Sequence, residues 1–132
     1  MKKLKIFAVD DENNVLQLIT STLHKYDITT ETSSMKALEM IHSHEEFDIF
    51  IVDYQMPNIN GIELLEEIND VYNDRNFVSV LCTAYGTIYL FKDELIRGVF
   101  TFFLEKPFSK DALKEIVNKA IKRLGMIQNR PV

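Results

Sequence analysis

The stretch Phe47-Asp48-Ile49-Phe50-Ile51-Val52-Asp53-Tyr54-Gln55-Met56-Pro57-Asn58 decides how this chain is read. Apart from Asp48 its first part is continuously apolar, the pattern of a strand buried on both faces of a parallel sheet. A single carboxylate, Asp53, ends that run, and Met56-Pro57-Asn58 then breaks the chain. The same alternation repeats outward. Leu4-Lys5-Ile6-Phe7-Ala8-Val9 is a second strand of this kind, cut off by Asp10-Asp11-Glu12. Val15, Leu18, Ile19, Thr22 and Leu23 then recur at helical spacing, with Asn13 or Asn14 as the N-cap. A weaker strand over residues 28–32 precedes a helix over 34–44 that turns Ala37, Leu38 and Ile41 inward.

On the other side of the break, Ile62, Leu65 and Ile68 mark a helix starting near Gly61. Residues 77–82 read as a strand, followed by a helix with Phe91 and Leu95, then by an aromatic strand over 100–104. Leu113, Ile116, Val117, Ala120, Ile121 and Leu124 form the stripe of a last helix, capped by Ser109. Five βα units in succession predict an α/β domain, a parallel sheet with helices on both faces and right-handed crossovers.

The composition is consistent with that class. The 132 residues suit one domain with a real core, and 46% apolar with 27% charged residues is ordinary for a globular protein. A net charge of −5 argues against direct nucleic-acid binding, which needs a basic stripe. Cys82 is the single cysteine, so no intramolecular disulfide forms and a reducing compartment is expected. Met1-Lys2-Lys3 carries a signal-like charge, but residues 4–9 are too short an apolar run, and nothing approaches a membrane span. The expectation is a cytoplasmic protein with no membrane insertion.

In open parallel sheets, sites form at the carboxyl ends of the strands. The residues leaving the strands there are Asp10-Asp11-Glu12, Asp53, Thr83-Ala84 and Lys106-Pro107. Carboxylates ~5 Å apart repel by roughly 3 kcal/mol at an effective dielectric near 20, so Asp10, Asp11 and Asp53 in one crevice call for a cation or a proton. An all-oxygen pocket suits Mg²⁺, with Mn²⁺ as a substitute, and lacks the Cys and His that zinc prefers. Lys106 adds a positive charge on the opposite side and Thr83 a hydroxyl donor. A carboxylate nucleophile, a metal and donors for the equatorial oxygens are the parts of phosphoryl transfer. Asp53, alone at its strand end, is the natural nucleophile, and Glu12 reads as helix-start charge.

Asp10-Asp11, Asp53 with Met56-Pro57 and Gly61 behind it, Thr83-Ala84 and Lys106-Pro107-Phe108 together resemble the receiver domain of response regulators, of the chemotaxis-regulator kind. The resemblance spans residues 3–124. It implies a doubly wound, flavodoxin-like sheet of five parallel strands in the order 2-1-3-4-5. The domain would occupy residues 1–124, leaving 125–132 as a C-terminal tail or truncated linker. It also implies that Asp53 accepts a phosphoryl group from a phosphohistidine on a sensor histidine kinase or histidine phosphotransfer protein. Asp11, Asp53 and the backbone carbonyl of Gln55 would bind Mg²⁺ directly, and Asp10 largely through water. Thr83 and Lys106 would meet the phosphoryl oxygens, and Phe103 would be the switch aromatic. Gln55 and Tyr85, each two residues beyond a site residue, would tune the lifetime of the phosphorylated form. The Gly98–Lys106 spacing is one residue longer than is usual in the family, which leaves the register around Phe102-Phe103 open.

Ile88-Tyr89-Leu90-Phe91 is too long an apolar run for one helical face. Either the helix begins later, or the run exposes a surface for a partner or for a homodimer through the fourth-helix, fifth-strand and fifth-helix face. His24, His42 and His44 sit on helices without nearby cysteine and are expected to have no metal role; Cys82 is read as apolar filler. Two rivals remain. A haloacid-dehalogenase-type phosphatase places an acid two residues after its nucleophile, where this chain has Gln55, and the expectation is a switch and not an enzyme. A flavodoxin-like cofactor module cradles phosphate after its first strand, where Asp10-Asp11-Glu12 would repel it. A phosphorelay shuttle without its own output is a further form of the same reading.

Overall fold

The computed structural model describes residues 3–128. Its elements run β1 (Lys5–Val9), α1 (Asn13–Thr22), β2 (Asp27–Glu31), α2 (Ser34–His42), β3 (Ile49–Asp53), α3 (Gly61–Val71), β4 (Val78–Ala84), a 3₁₀ turn (Ile88–Phe91), α4 (Lys92–Ile96), β5 (Phe102–Lys106) and α5 (Lys110–Gln128). The strands form one parallel sheet in the order β2-β1-β3-β4-β5. The expected doubly wound architecture is therefore the one observed. No helix of the described residues is long and apolar enough to cross a membrane.

Strand alternation divides the core in two. Ile6, Ala8, Ile49, Ile51, Val78 and Val80 pack against Leu16 and Ile19 of α1 and Leu113 and Val117 of α5. Phe7, Val9, Phe50, Val52 and Leu81 face Ala37 and Ile41 of α2, Leu64 and Ile68 of α3, and Phe91. On that second side Phe50 is an aromatic hub, with ring centroids of Phe47 and Tyr72 at 5.7 Å and of Phe77 at 5.5 Å. All five residues of β3 are buried, as the opening stretch requires.

Three local expectations change. Neither Asn13 nor Asn14 caps α1; Glu12 is the N-cap residue and makes no side-chain cap bond. The turn is set instead by Asp10, whose carboxylate accepts the Glu12 N–H at 2.9 Å. In α1 Leu16 and Ile19 are the buried residues, joined by the C-cap Leu23, while Val15 and Leu18 are half-buried at the edge of a cleft. The Ile88-Tyr89-Leu90-Phe91 run is a 3₁₀ turn that buries Phe91 and exposes Tyr89 and Leu90, so α4 begins later and keeps five residues. Leu95 points outward, since so short a helix has no second turn to carry an inward stripe. Ser109 does cap α5, accepting the Ala112 N–H at 3.1 Å.

The break after β3 is tightly built. Asn60 and Glu63 form a reciprocal capping box at the start of α3. The Gly61 N–H donates to the Tyr54 carbonyl at 2.8 Å. A Cβ at Gly61 would overlap the Asp53 carbonyl oxygen and lie 2.8 Å from the Tyr54 Cα. Gly61→Ala is expected to cost about 2–3 kcal/mol in urea denaturation, as overpacking against backbone does. Gly125→Ala, where nothing lies within 4 Å, serves as control and should be neutral or stabilising by up to ~1 kcal/mol. Equal effects of the two would refute this account of Gly61.

Candidate functional site

The carboxyl ends of β1, β3, β4 and β5 surround a cleft of about 950 Å³, lined among others by Asp11, Asp53, Gln55, Thr83, Tyr85 and Lys106. Its acids come from backbone that cannot readily move. Asp53 is the last residue of β3 and pairs in register with Cys82. Asp10 follows β1, and its own N–H donates to the Glu31 carbonyl at the end of β2 at 3.2 Å. Both carboxylates are nearly sealed from solvent, Asp10 at 2% and Asp53 at 5% exposure. Asp11 and Glu12 are exposed.

Lys106 does not face the acids from across the cleft. Its ammonium sits between them, 2.9 Å from Asp10 Oδ2 and 3.0 Å from Asp53 Oδ1. It also reaches Glu12 Oε1 at 3.3 Å. Glu12 is thus part of the site and not merely helix-start charge. The signal was its place directly behind the acidic pair, which returns it over the β1 end once α1 begins. Carboxylate oxygens of Asp10, Asp11 and Glu12 all lie within 4.8 Å of one another.

One ammonium is too little for so many carboxylates. Burial, and next the Asp10 charge, push the Asp53 carboxyl up to about 6, although Lys106 pulls the other way. Asp10 is raised as well, chiefly by burial, with the Lys106 hydrogen bond opposing. Burial alone would lower the Lys106 ammonium, but its hydrogen bonds to Asp10 and Asp53 outweigh that and raise it. The lysine therefore stays charged while the acids share it: burial, chiefly, raises both carboxyls, and their hydrogen bonds raise the ammonium. Burial, then the charges of Asp53 and Asp10, raise the Cys82 thiol, which remains neutral filler.

Thr83 is 1% exposed, and its hydroxyl oxygen is buried with no hydrogen-bond partner among the described residues. Such an atom in a polar cleft is suited to an incoming oxygen acceptor. Gln55 and Tyr85 stand at the rim, Tyr85 at 82% exposure. Phe103 lies away from the cleft lining. It pairs with Leu81 in the β4–β5 register and is 37% exposed, whereas its neighbour Phe102 packs on the α1/α5 side of the core. Three further contributors lie outside the sequence-derived site residues: Val15 and Leu18 line the cleft, as does Tyr54, next to Asp53, whose ring centroid lies 4.5 Å from that of Phe91. His42 contacts Glu67 at 3.3 Å, and His24 the Ser21 carbonyl at 3.0 Å; neither residue lines the cleft.

The raised Asp53 carboxyl has a signed consequence for stability. Its folded value near 6 exceeds the ordinary 3.8, so its contribution is fully present below about pH 4 and lost as pH rises through 6. At pH 7 and without divalent cations the ionised Asp53 costs on the order of 2–3 kcal/mol. Asp53→Asn should recover most of that at pH 7 and almost none at pH 4, read as the difference in urea midpoints. A variant no more stable than wild type at pH 7 would contradict the cost of ionising Asp53 in this buried, acidic setting.

Comparison with known proteins gives this arrangement its setting. The chain is 28% identical over 121 residues to Sporulation initiation phosphotransferase F of Bacillus subtilis (strain 168), covering 90% of this chain and 94% of that protein. It is 26% identical over 125 residues to 3',5'-cyclic-nucleotide phosphodiesterase regA of Dictyostelium discoideum, 92% of this chain but 16% of the length of that relative. The crystal structure of a response regulator receiver domain protein from Clostridium thermocellum matches with a TM-score of 0.81 at 26% identity, covering 94% of this chain and 98% of that one. Residues 6–118 match the family model of the response regulator receiver domain, and the chain belongs to that family.

Proposed function

We propose that this chain is a phosphorylation switch of a two-component pathway in which Asp53 accepts the phosphoryl group. The observation that carries this reading is the Lys106 ammonium lodged between the buried Asp10 and Asp53 carboxylates at 2.9 and 3.0 Å. A phosphohistidine of a sensor histidine kinase or phosphotransfer protein is the donor. An Asp53 carboxylate oxygen forms the new O–P bond as the donor's N–P bond breaks, and the imidazole keeps that electron pair and takes up a proton. Lys106 is already beside the reacting oxygen and offsets charge on the phosphoryl oxygens. The unpartnered Thr83 hydroxyl donates to one of them. Phe103, on β5 opposite Leu81, then turns inward as the space around Thr83 changes.

The donor set is all oxygen and over-negative, which fits a hard divalent cation. Asp11, Asp53 and the backbone carbonyl of Gln55 would hold Mg²⁺, or Mn²⁺ in its place, with Asp10 acting through water. When bound, the ion supplies positive charge against the phosphoryl oxygens. The Gln55 amide is too weak an acid to protonate a leaving group, so the chain acts as a self-modifying switch and not as a turnover phosphatase. Gln55 and Tyr85, at the rim, slow hydrolysis of the acyl phosphate by shielding it. Tyr89, Leu90, Ile96 and Phe103, on the 3₁₀ turn, α4 and β5, are exposed, and these elements are the ones through which phosphorylated copies pair or an output domain docks.

Incubation with acetyl phosphate and Mg²⁺ followed by intact mass is the test. Wild type should gain one phosphoryl group, and neither Asp53→Ala nor wild type with excess EDTA should gain any. Labelling that persists in Asp53→Ala would overturn the assignment. Light scattering of the same labelled sample, with Leu90→Glu alongside, bears on pairing: a mass unchanged by phosphorylation would remove the homodimer.

A further inference from the structure

The loop that leaves the site behind Thr83 is lightly held. Ala84, Tyr85 and Gly86 are exposed, and α4 beyond them contributes no buried residue. Its main anchor is Phe91 of the 3₁₀ turn, set against the Tyr54 ring. Within the turn itself, the Thr87 hydroxyl donates to the Ala84 carbonyl at 2.6 Å. The segment is also bounded by two unsatisfied atoms: among the described residues, Thr83 Oγ1 and Glu94 Oε2 are buried without a hydrogen-bond partner. Buried polar atoms left in this way disfavour the arrangement that leaves them so.

Against that stands one side-chain tie from β5. The Gly86 N–H donates to Glu105 Oε2 at 2.6 Å. Glu105 is the register partner of Thr83 and immediately precedes Lys106. Gly86 has φ of +77°, a conformation glycine adopts freely. A carboxylate accepting a backbone N–H is roughly twice as strong as a neutral pair. The tie therefore joins the strand that carries Lys106 to the loop that follows Thr83.

We propose that Glu105 is a positioning residue for Thr83: by holding Gly86 it keeps the loop in its present place and opposes the shift that brings the Thr83 hydroxyl onto a phosphoryl oxygen. This deepens the reading of Asp53 as phosphoacceptor and Thr83 as a phosphoryl contact, and rests on it. A ligand that prefers the shifted loop binds with an affinity reduced by the fraction of molecules already shifted. Glu105 sets that fraction.

The test uses beryllofluoride with Mg²⁺ as the phosphoryl mimic, on the full chain, with binding and the Gly86 amide both followed by NMR. Glu105→Ala is expected to bind beryllofluoride about 5- to 10-fold more tightly, with the Gly86 amide exchanging faster. Removing a negative charge would by itself favour an anion, and Glu105→Gln separates the two causes. Glutamine loses the charge but keeps an acceptor, so it should lie nearer to wild type than alanine does. Equal affinities of the glutamine and alanine variants would overturn the proposal, as would an alanine variant no tighter than wild type or an unchanged Gly86 amide. Wild type that bound no beryllofluoride at Asp53 would overturn the phosphoacceptor reading itself, and this inference with it.

Discussion

The rest of the structure turns on a single ammonium shared by two buried carboxylates. Lys106 reaches Asp10 and Asp53 at about equal distance, and neither acid has water enough to ionise cheaply without it. A lone buried charge would be intolerable, and one lysine between two acids is only partial relief. The result is a pocket that keeps its lysine charged and one of its acids near the edge of protonation. That is an unstable arrangement for a structural ion pair. It suits a site meant to receive a cation and then a dianionic group, each of which redistributes the lysine's allegiance.

The sheet makes such a cluster possible. Parallel strands deliver their ends to one edge, so residues far apart in sequence meet there without a long loop having to fold back. Rigidity differs sharply around that edge. Asp53 is fixed by a wholly buried strand and by Gly61, whose missing side chain lets α3 start against the Asp53 carbonyl. Across the cleft, β4 ends in an exposed turn, a 3₁₀ segment and a helix of five residues with no buried side chain. Asp53 thus stands on the firm side of the cleft, and the segment beyond Thr83 on the soft side. Regions with few buried contacts are the ones that can change state at low cost.

Much of this was legible in the residues. Buried strands announce themselves as apolar runs, and β1, β3 and β4 were found because both faces of each are covered. Asp10, Asp53 and Thr83 are legible because each directly ends such a run, and Lys106 because it closes β5 just ahead of Pro107. What was less legible depends on direction and not on composition. That Lys106 lies between the acids follows from the reach of its side chain from β5 past β4, which no spacing rule contains. The capping of α1 was misread because Asp10, already counted as a site residue, also accepts the Glu12 N–H. Leu16 replaced Val15 and Leu18 as the core face because those two turn toward the cleft. The β5 register, open in the sequence, is fixed by pairing Phe103 with Leu81, and it packs a half-buried Phe102 against the α1/α5 core and leaves Phe103 at the surface.

The burial of Asp53 beside Asp10, with one lysine between them, is the claim from which the others descend, and carboxyl ¹³C NMR reads it directly. Without divalent cations the Asp53 carboxyl should titrate near pH 6, and addition of Mg²⁺ should move its midpoint downward by more than a unit. An Asp53 that titrates at the ordinary aspartate value and does not respond to Mg²⁺ would contradict the account at its root.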